Sequence, residues 1–160
     1  MTRPQAGPLV QEVSPRLETA AGGGRPLRLM VPYTDPATAR GALAAAGGLA
    51  RGLDASIALV AVQVLPFPAP FYCPSSVREH LEGQLAALAR ECPAPVDAVV
   101  VLARDLEEGY LEVLEPGVTV LIATRRRWWR TREEKLARAL TRAGNKVVLV
   151  KLDKREIRNA

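Results

Sequence analysis

The sequence predicts an α/β domain: a five-stranded parallel sheet with helices on both faces. Three observations lead there. Short apolar runs alternate with stretches of helical periodicity along most of the chain, and right-handed crossovers then demand a mostly parallel sheet covered on both sides. The run Ser56 to Leu65 is nearly continuous in apolar residues, as a strand buried on both faces should be. The intervening stretches open on capping residues, of which Asp35-Pro36 is the strongest, with Asp35 as N-cap and Pro36 at the first helical position.

Residues 1 to 25 mix Pro, Gly and polar residues without sustained periodicity and read as a flexible leader, within which Val10 to Leu17 is the part suited to docking. Gly22-Gly23-Gly24 follows no strand and precedes no suitably spaced lysine, so it is a linker and not a phosphate loop. The domain proper spans 26–152, and 153–160 form a charged tail.

Leu27 to Tyr33 is the first strand. The helix after Asp35 carries Ala42, Leu43, Ala46, Leu49, Ala50 and Leu53 at helical spacing. Its Gly41, Gly47 and Gly48 each cost roughly 1 kcal/mol of helix propensity, which suits a helix pressed closely on a sheet. After the second strand comes Pro66 to Pro74, where four prolines in nine residues forbid regular structure. It gathers Phe67, Phe71 and Tyr72, and is expected to fold back over the sheet edge and bury them. Ser76 and Glu79 have capping-box spacing before a helix with Val77, Leu81, Leu85, Leu88 and Ala89 on one face and His80 beside it. Val96 to Ala103 is the third strand. Asp105 caps a helix that Pro116-Gly117 ends. The fourth strand is Val118 to Thr124. Thr131 and Glu134 repeat the capping-box spacing, Leu136, Ala137, Leu140 and Ala143 form an apolar face, Gly144-Asn145 stops the helix, and Lys146 to Leu152 is the fifth strand.

Composition excludes several chemistries. The only histidine is His80, which removes most zinc sites and any Ser-His or Cys-His arrangement not built on it. Cys73 and Cys92 lack CxxC spacing, so neither a disulfide framework nor a thiolate metal site is expected, and a reducing cytoplasm is the plain reading. No apolar run approaches the length of a membrane span. Neither G-x-G-x-x-G nor a P-loop lysine signature occurs, and no pair of acidic residues stands out for acid–base work. Of the net charge of +5, the stretch Thr124 to Arg142 alone contributes +6 (eight basic residues against Glu133 and Glu134), so the basicity is one local patch rather than a nucleic-acid-binding face.

With strand order 3-2-1-4-5, the winding reverses between the first and fourth strands, and a ligand crevice lies there. It collects Tyr33, Thr34 and Asp35 from one side and Ala123, Thr124 and Arg125 from the other, with Arg126 and Lys135 as further candidates. The run after the fourth strand, Arg125-Arg126-Arg127-Trp128-Trp129-Arg130, is bulky where a phosphate-cradling loop must be nearly bare backbone.

The Val31-Pro32 strand end, the Ala-rich first helix, the strand ending Val64-Leu65-Pro66 and the closing strand Val147 to Val150 resemble the universal stress protein family over roughly Pro26 to Leu152. The resemblance implies a Rossmann-like sheet of the adenine nucleotide alpha hydrolase type. Family members that bind ATP carry an Asp just after Val-Pro-x and a G-x2-G-x9-G-[S/T] signature after the fourth strand. Here Thr34 stands at the Asp position, with Asp35 one place later. The first two glycines fall on Arg126 and Trp129, and, allowing a deletion in the intervening loop, the closing Gly-Ser pair falls near Glu134-Lys135. Glu134 would place a carboxylate at the helix N-terminus, where a phosphate would otherwise find a favourable dipole.

The expectation is therefore a non-enzymatic, universal-stress-protein-like regulatory domain, without ATP as a cofactor in the family manner. It pairs as a homodimer through the last strand, with Val148 and Val150 in the interface, and serves a further protein such as a transporter. One or both of Trp128 and Trp129 are expected to fold into the vacated crevice and fill it with protein; the alternative is that Arg127, Trp128 and Trp129 form a partner-binding run, arginine and tryptophan being enriched at binding hot spots. A nucleotide or anion sensor gripping phosphates through Arg125, Arg126, Arg127 and Lys135 is the first rival. Nucleic-acid or partner binding by the Arg/Trp loop is the second.

Overall fold

A computed structural model describes residues 10–12, 26–125 and 131–152. Six strands and four helices follow in the order β1 (Val10–Glu12), β2 (Leu27–Pro32), α1 (Pro36–Ala50), β3 (Ala55–Val64), α2 (Ser75–Glu91), β4 (Val96–Ala103), α3 (Leu106–Val113), β5 (Val118–Arg125), α4 (Arg132–Arg142) and β6 (Lys146–Leu152). The sheet order is β1-β4-β3-β2-β5-β6. The last five are parallel neighbours in the expected 3-2-1-4-5 arrangement. The sixth strand comes from within the leader: Val10–Glu12 pairs antiparallel with Val99–Val101 on the outer side of β4.

Alternation along the strands divides the core in two. Leu29, Val31, Leu59 and Leu121 face α1 and α2, where Ala42, Leu43, Ala46, Leu85 and Leu88 meet them. Met30, Val60, Val120 and Ile122 face α3 and α4, packing on Tyr110, Leu136 and Leu140. Small residues on α1 let it approach the sheet closely. A Cβ on Gly41 would stand 2.5 Å from Leu152 Cδ2, and one on Gly47 would stand 3.2 Å from Cys92 Sγ, whereas Gly48 faces open space.

The caps follow the sequence with one exception. Asp35 Oδ1 accepts from the N–H groups of Ala37 and Thr38 at 3.0 and 3.1 Å, Asp105 does the same for Glu107 and Glu108, and Thr131 Oγ1 accepts from Glu134 N. At the far end of α4, Gly144 adopts φ +87°, donating to Thr141 O while Asn145 donates to Leu140 O, the paired bonds of a Schellman stop. The capping box expected at Ser76 does not form. Helix α2 begins at Ser75 behind Pro74 without a side-chain cap; Ser76 is already inside the first turn, and the N–H groups of Val77 and Arg78 point to Pro74 O.

Three apolar positions are not where periodicity put them. Leu49, Leu53 and Val77 are 50%, 58% and 44% exposed. Helix α1 ends at Ala50, so Leu53 lies beyond it, and the buried stripe closes on Ala46, Gly47 and Ala50, with Leu49 turned outward. The aromatic loop departs further from expectation: Phe67 is 79% and Tyr72 65% exposed. Prolines supply carbonyls without N–H donors, and Arg104 meets that demand. Its Nη1 donates to the carbonyls of Leu65, Pro66 and Ala69 at 3.0, 3.1 and 2.8 Å. The guanidinium lies 4.3 Å from the Phe67 ring centre and 5.2 Å from that of Phe71, so the rings are held against a cation at the surface.

Close packing on α3 gives a test of the helix–sheet contact. A Cβ on Gly109 would meet Val62 Cγ1 at 2.6 Å and Ala103 Cβ at 2.8 Å, and the latter cannot swing away. Gly109→Ala is expected to destabilise by about 1–3 kcal/mol through overpacking. Gly48→Ala, in open helix interior, is expected to stabilise by up to ~1 kcal/mol. Urea denaturation of the two variants checks the contrast, and effects of the same sign would contradict it.

Candidate functional site

The sheet's topology brings the crevice together. β2 and β5 are parallel neighbours, Arg28 to Met30 lying beside Val118 to Val120, so both run out at the same edge. Beyond Pro32 the chain turns through Tyr33, Thr34 and Asp35 into α1; beyond Thr124 it leaves through Arg125. Ala123 and Thr124 are 2% and 4% exposed and form the floor.

Asp35 organises one wall. Besides capping α1, its Oδ2 accepts from Thr38 Oγ1 at 2.6 Å, and its Oδ1 accepts from Arg125 Nη2 at 3.0 Å. Burial raises the pKa of this carboxyl, but the Thr38 hydroxyl and N–H, the Arg125 cation and the Ala37 N–H together outweigh that and hold it below the ordinary carboxylate value. Both ends of the ion pair are about a third exposed, so it positions Arg125 more than it stabilises the fold. Arg125 Nε is buried without a hydrogen-bond partner among the described residues.

The other wall is a carboxylate. Thr34 Oγ1 donates to Glu133 Oε1 at 2.8 Å and lies 3.1 Å from Thr38 Oγ1. Glu133, in the first turn of α4, is only 9% exposed. Tyr33 leans away toward α2, its hydroxyl donating to Gln84 Oε1 at 3.0 Å; burial, with the nearby Asp35 charge, raises its pKa. From below, the Tyr110 hydroxyl donates to Tyr33 O at 3.1 Å. Burial pushes the pKa of Tyr110 far up, the Arg132 cation acting in the opposite sense.

Tyr33, Thr34, Asp35, Ala123, Thr124 and Arg125 thus converge. Lys135 does not join them: two residues on from Glu133, it is exposed on another side of α4. Glu134 lines a groove with Ala137 and Leu149, so Glu133 and not Glu134 is the carboxylate of the crevice. The signal was in the sequence: Glu133, Leu136, Ala137 and Leu140 stand at i, i+3, i+4 and i+7, which puts Glu133 on the apolar face of α4. Arg126, Arg127, Trp128 and Trp129 lie outside the described residues. Val148 and Val150 are half-buried against the α1 side of the sheet, whereas Leu149, between them, is 50% exposed. Among the described residues no cluster of three or more His, Cys, Asp or Glu could hold a metal ion, and no helix is long and apolar enough to cross a membrane.

No family model matches the sequence, and no curated protein matches it. Among solved structures, the fold is similar to that of a universal stress protein from Archaeoglobus fulgidus. The TM-score is 0.55 at 14% identity, over 78% of this chain and 93% of that one. The likeness establishes a universal-stress-protein-like α/β fold.

The depressed Asp35 pKa sets a pH dependence. Its folded value lies below the unfolded one, near roughly 3.9, so its stabilisation is fully present above the unfolded value and is lost as pH falls through the folded one. The stability gap between the native protein and Asp35→Asn, measured by urea denaturation, is expected to narrow on acidification below about pH 4. A gap that stays constant from neutral pH to pH 2 would contradict the assignment.

Proposed function

We propose that the chain is a degenerate universal-stress-protein-like domain, a non-enzymatic regulatory element of stress response that does not hold ATP in the family manner. The observation that carries this reading is the Glu133 carboxylate, buried in the first turn of α4 and tied to Thr34 at 2.8 Å. A helix N-terminus is otherwise a ready anion site; a carboxylate already there takes up the dipole and repels a phosphate. The rival sensor reading needs Arg125, Arg126, Arg127 and Lys135 to grip phosphate together; of these, Arg125 is paired with Asp35, Lys135 is exposed elsewhere on α4, and Arg126 and Arg127 lie outside the described residues.

In this reading the domain is cytoplasmic and works as a homodimer through β6, serving a further protein such as a transporter. Support comes from the sheet edge. β6 pairs with β5 on one side, and Leu149 is half exposed beside a groove of about 580 Å³ that Ala137, Thr141 and Val147 also line. A long apolar edge strand is prone to pair when left bare.

Thermal unfolding with ATP, ADP and cyclic dinucleotides tests the crevice, and light scattering on the same samples tests the pairing. The expected result is no shift at millimolar nucleotide and a dimer mass at tens of micromolar protein. Stabilisation approaching the ~2.7 kcal/mol of a hundredfold ligand excess would overturn the closed crevice, and a strict monomer would overturn the pairing.

A further inference from the structure

The crevice opposes a polyphosphate, yet it is not filled. Beside the Thr34–Glu133 bond, the ends of β2 and β3 and the flanks of α2, α3 and α4 enclose a cleft of about 140 Å³. Val62, Leu81 and Leu106 form apolar walls, and Tyr33, Gln63 and Arg132 supply the polar ones. The volume is close to the ~150 Å³ of an engineered cavity that takes up benzene, and well short of the ~300–1,000 Å³ of sites for drug-sized ligands. A single ring fits within it.

Charge narrows the choice further. Arg132 is exposed at the first position of α4, and has no ion pair or hydrogen bond among the described residues. Asp35 is matched by Arg125, and Arg132 is the cation that lines this cleft among the described residues. One negative charge would find that guanidinium. A further one would lie beside Thr34, whose hydroxyl the Glu133 carboxylate already holds.

We propose that this cleft binds a small single-ring carboxylate, its ring against Val62, Leu81 and Leu106 and its carboxylate on the Arg132 guanidinium. A forked guanidinium matches a carboxylate in two parallel hydrogen bonds, and the apolar walls take the ring out of water. The inference rests on the crevice being closed to polyphosphates.

The test is a titration of the full chain with benzoate, read by saturation-transfer NMR and by chemical shifts of the Val62, Leu81 and Leu106 methyls. Benzamide and ATP are titrated separately, and Arg132→Gln is run alongside. Because Arg132 is exposed, the variant is expected to keep its fold, which circular dichroism checks. Saturable benzoate binding is expected, weaker by about tenfold for Arg132→Gln and for benzamide, the loss of one charge-assisted contact. Equal affinity in the variant, or no saturable binding at millimolar benzoate while ATP is also silent, overturns this inference alone. ATP binding that displaces benzoate overturns it together with the closed crevice.

Discussion

The hydrogen bond from Thr34 to Glu133 is the constraint on which the crevice depends. It joins residues 99 apart in the chain, tying the turn after β2 to the first turn of α4 across the point where the sheet reverses its winding. A carboxylate as buried as Glu133 is costly unless donors meet it, and among the described residues Thr34 is the side chain that does. Thr38 stands 3.1 Å from the same hydroxyl and is itself held by Asp35, the cap of α1. The start of α1, the start of α4 and the end of β5 are therefore fixed relative to one another by one short chain of polar contacts.

That chain decides what the crevice can accept. In a sheet of this topology the reversal point is where ligands collect, and a phosphate there needs helix N-terminal N–H groups with nothing in front of them. Here the acceptor is already in place as part of the protein. Among the described residues, the Arg125 guanidinium is committed to Asp35, and that of Arg132 lines an apolar cleft.

Much of the fold was legible because it rests on local rules. The caps at Asp35, Asp105 and Thr131, the stop at Gly144 and the apolar strands are written within a few residues of where they act. What failed depended on contacts distant in sequence. The aromatic loop was expected to bury its rings, but Arg104, from the end of β4, satisfies its carbonyls and holds Phe67 at the surface. Strand β1 comes from a segment whose composition carries no strand signal, and pairing with β4 supplies the ladder its sequence does not announce. Glu133 is the local exception: alignment to the family signature points to Glu134, whereas the helical period sets Glu133 beside Leu136, Ala137 and Leu140.

The most direct measurement is a double-mutant cycle on this contact, Thr34→Val with Glu133→Gln, by equilibrium urea denaturation. Contacting residues in one network couple by about 0.5–3 kcal/mol, and a favourable coupling within that range is expected. Strict additivity of the two substitutions would mean that Thr34 does not hold the carboxylate, and the closed crevice would have no basis.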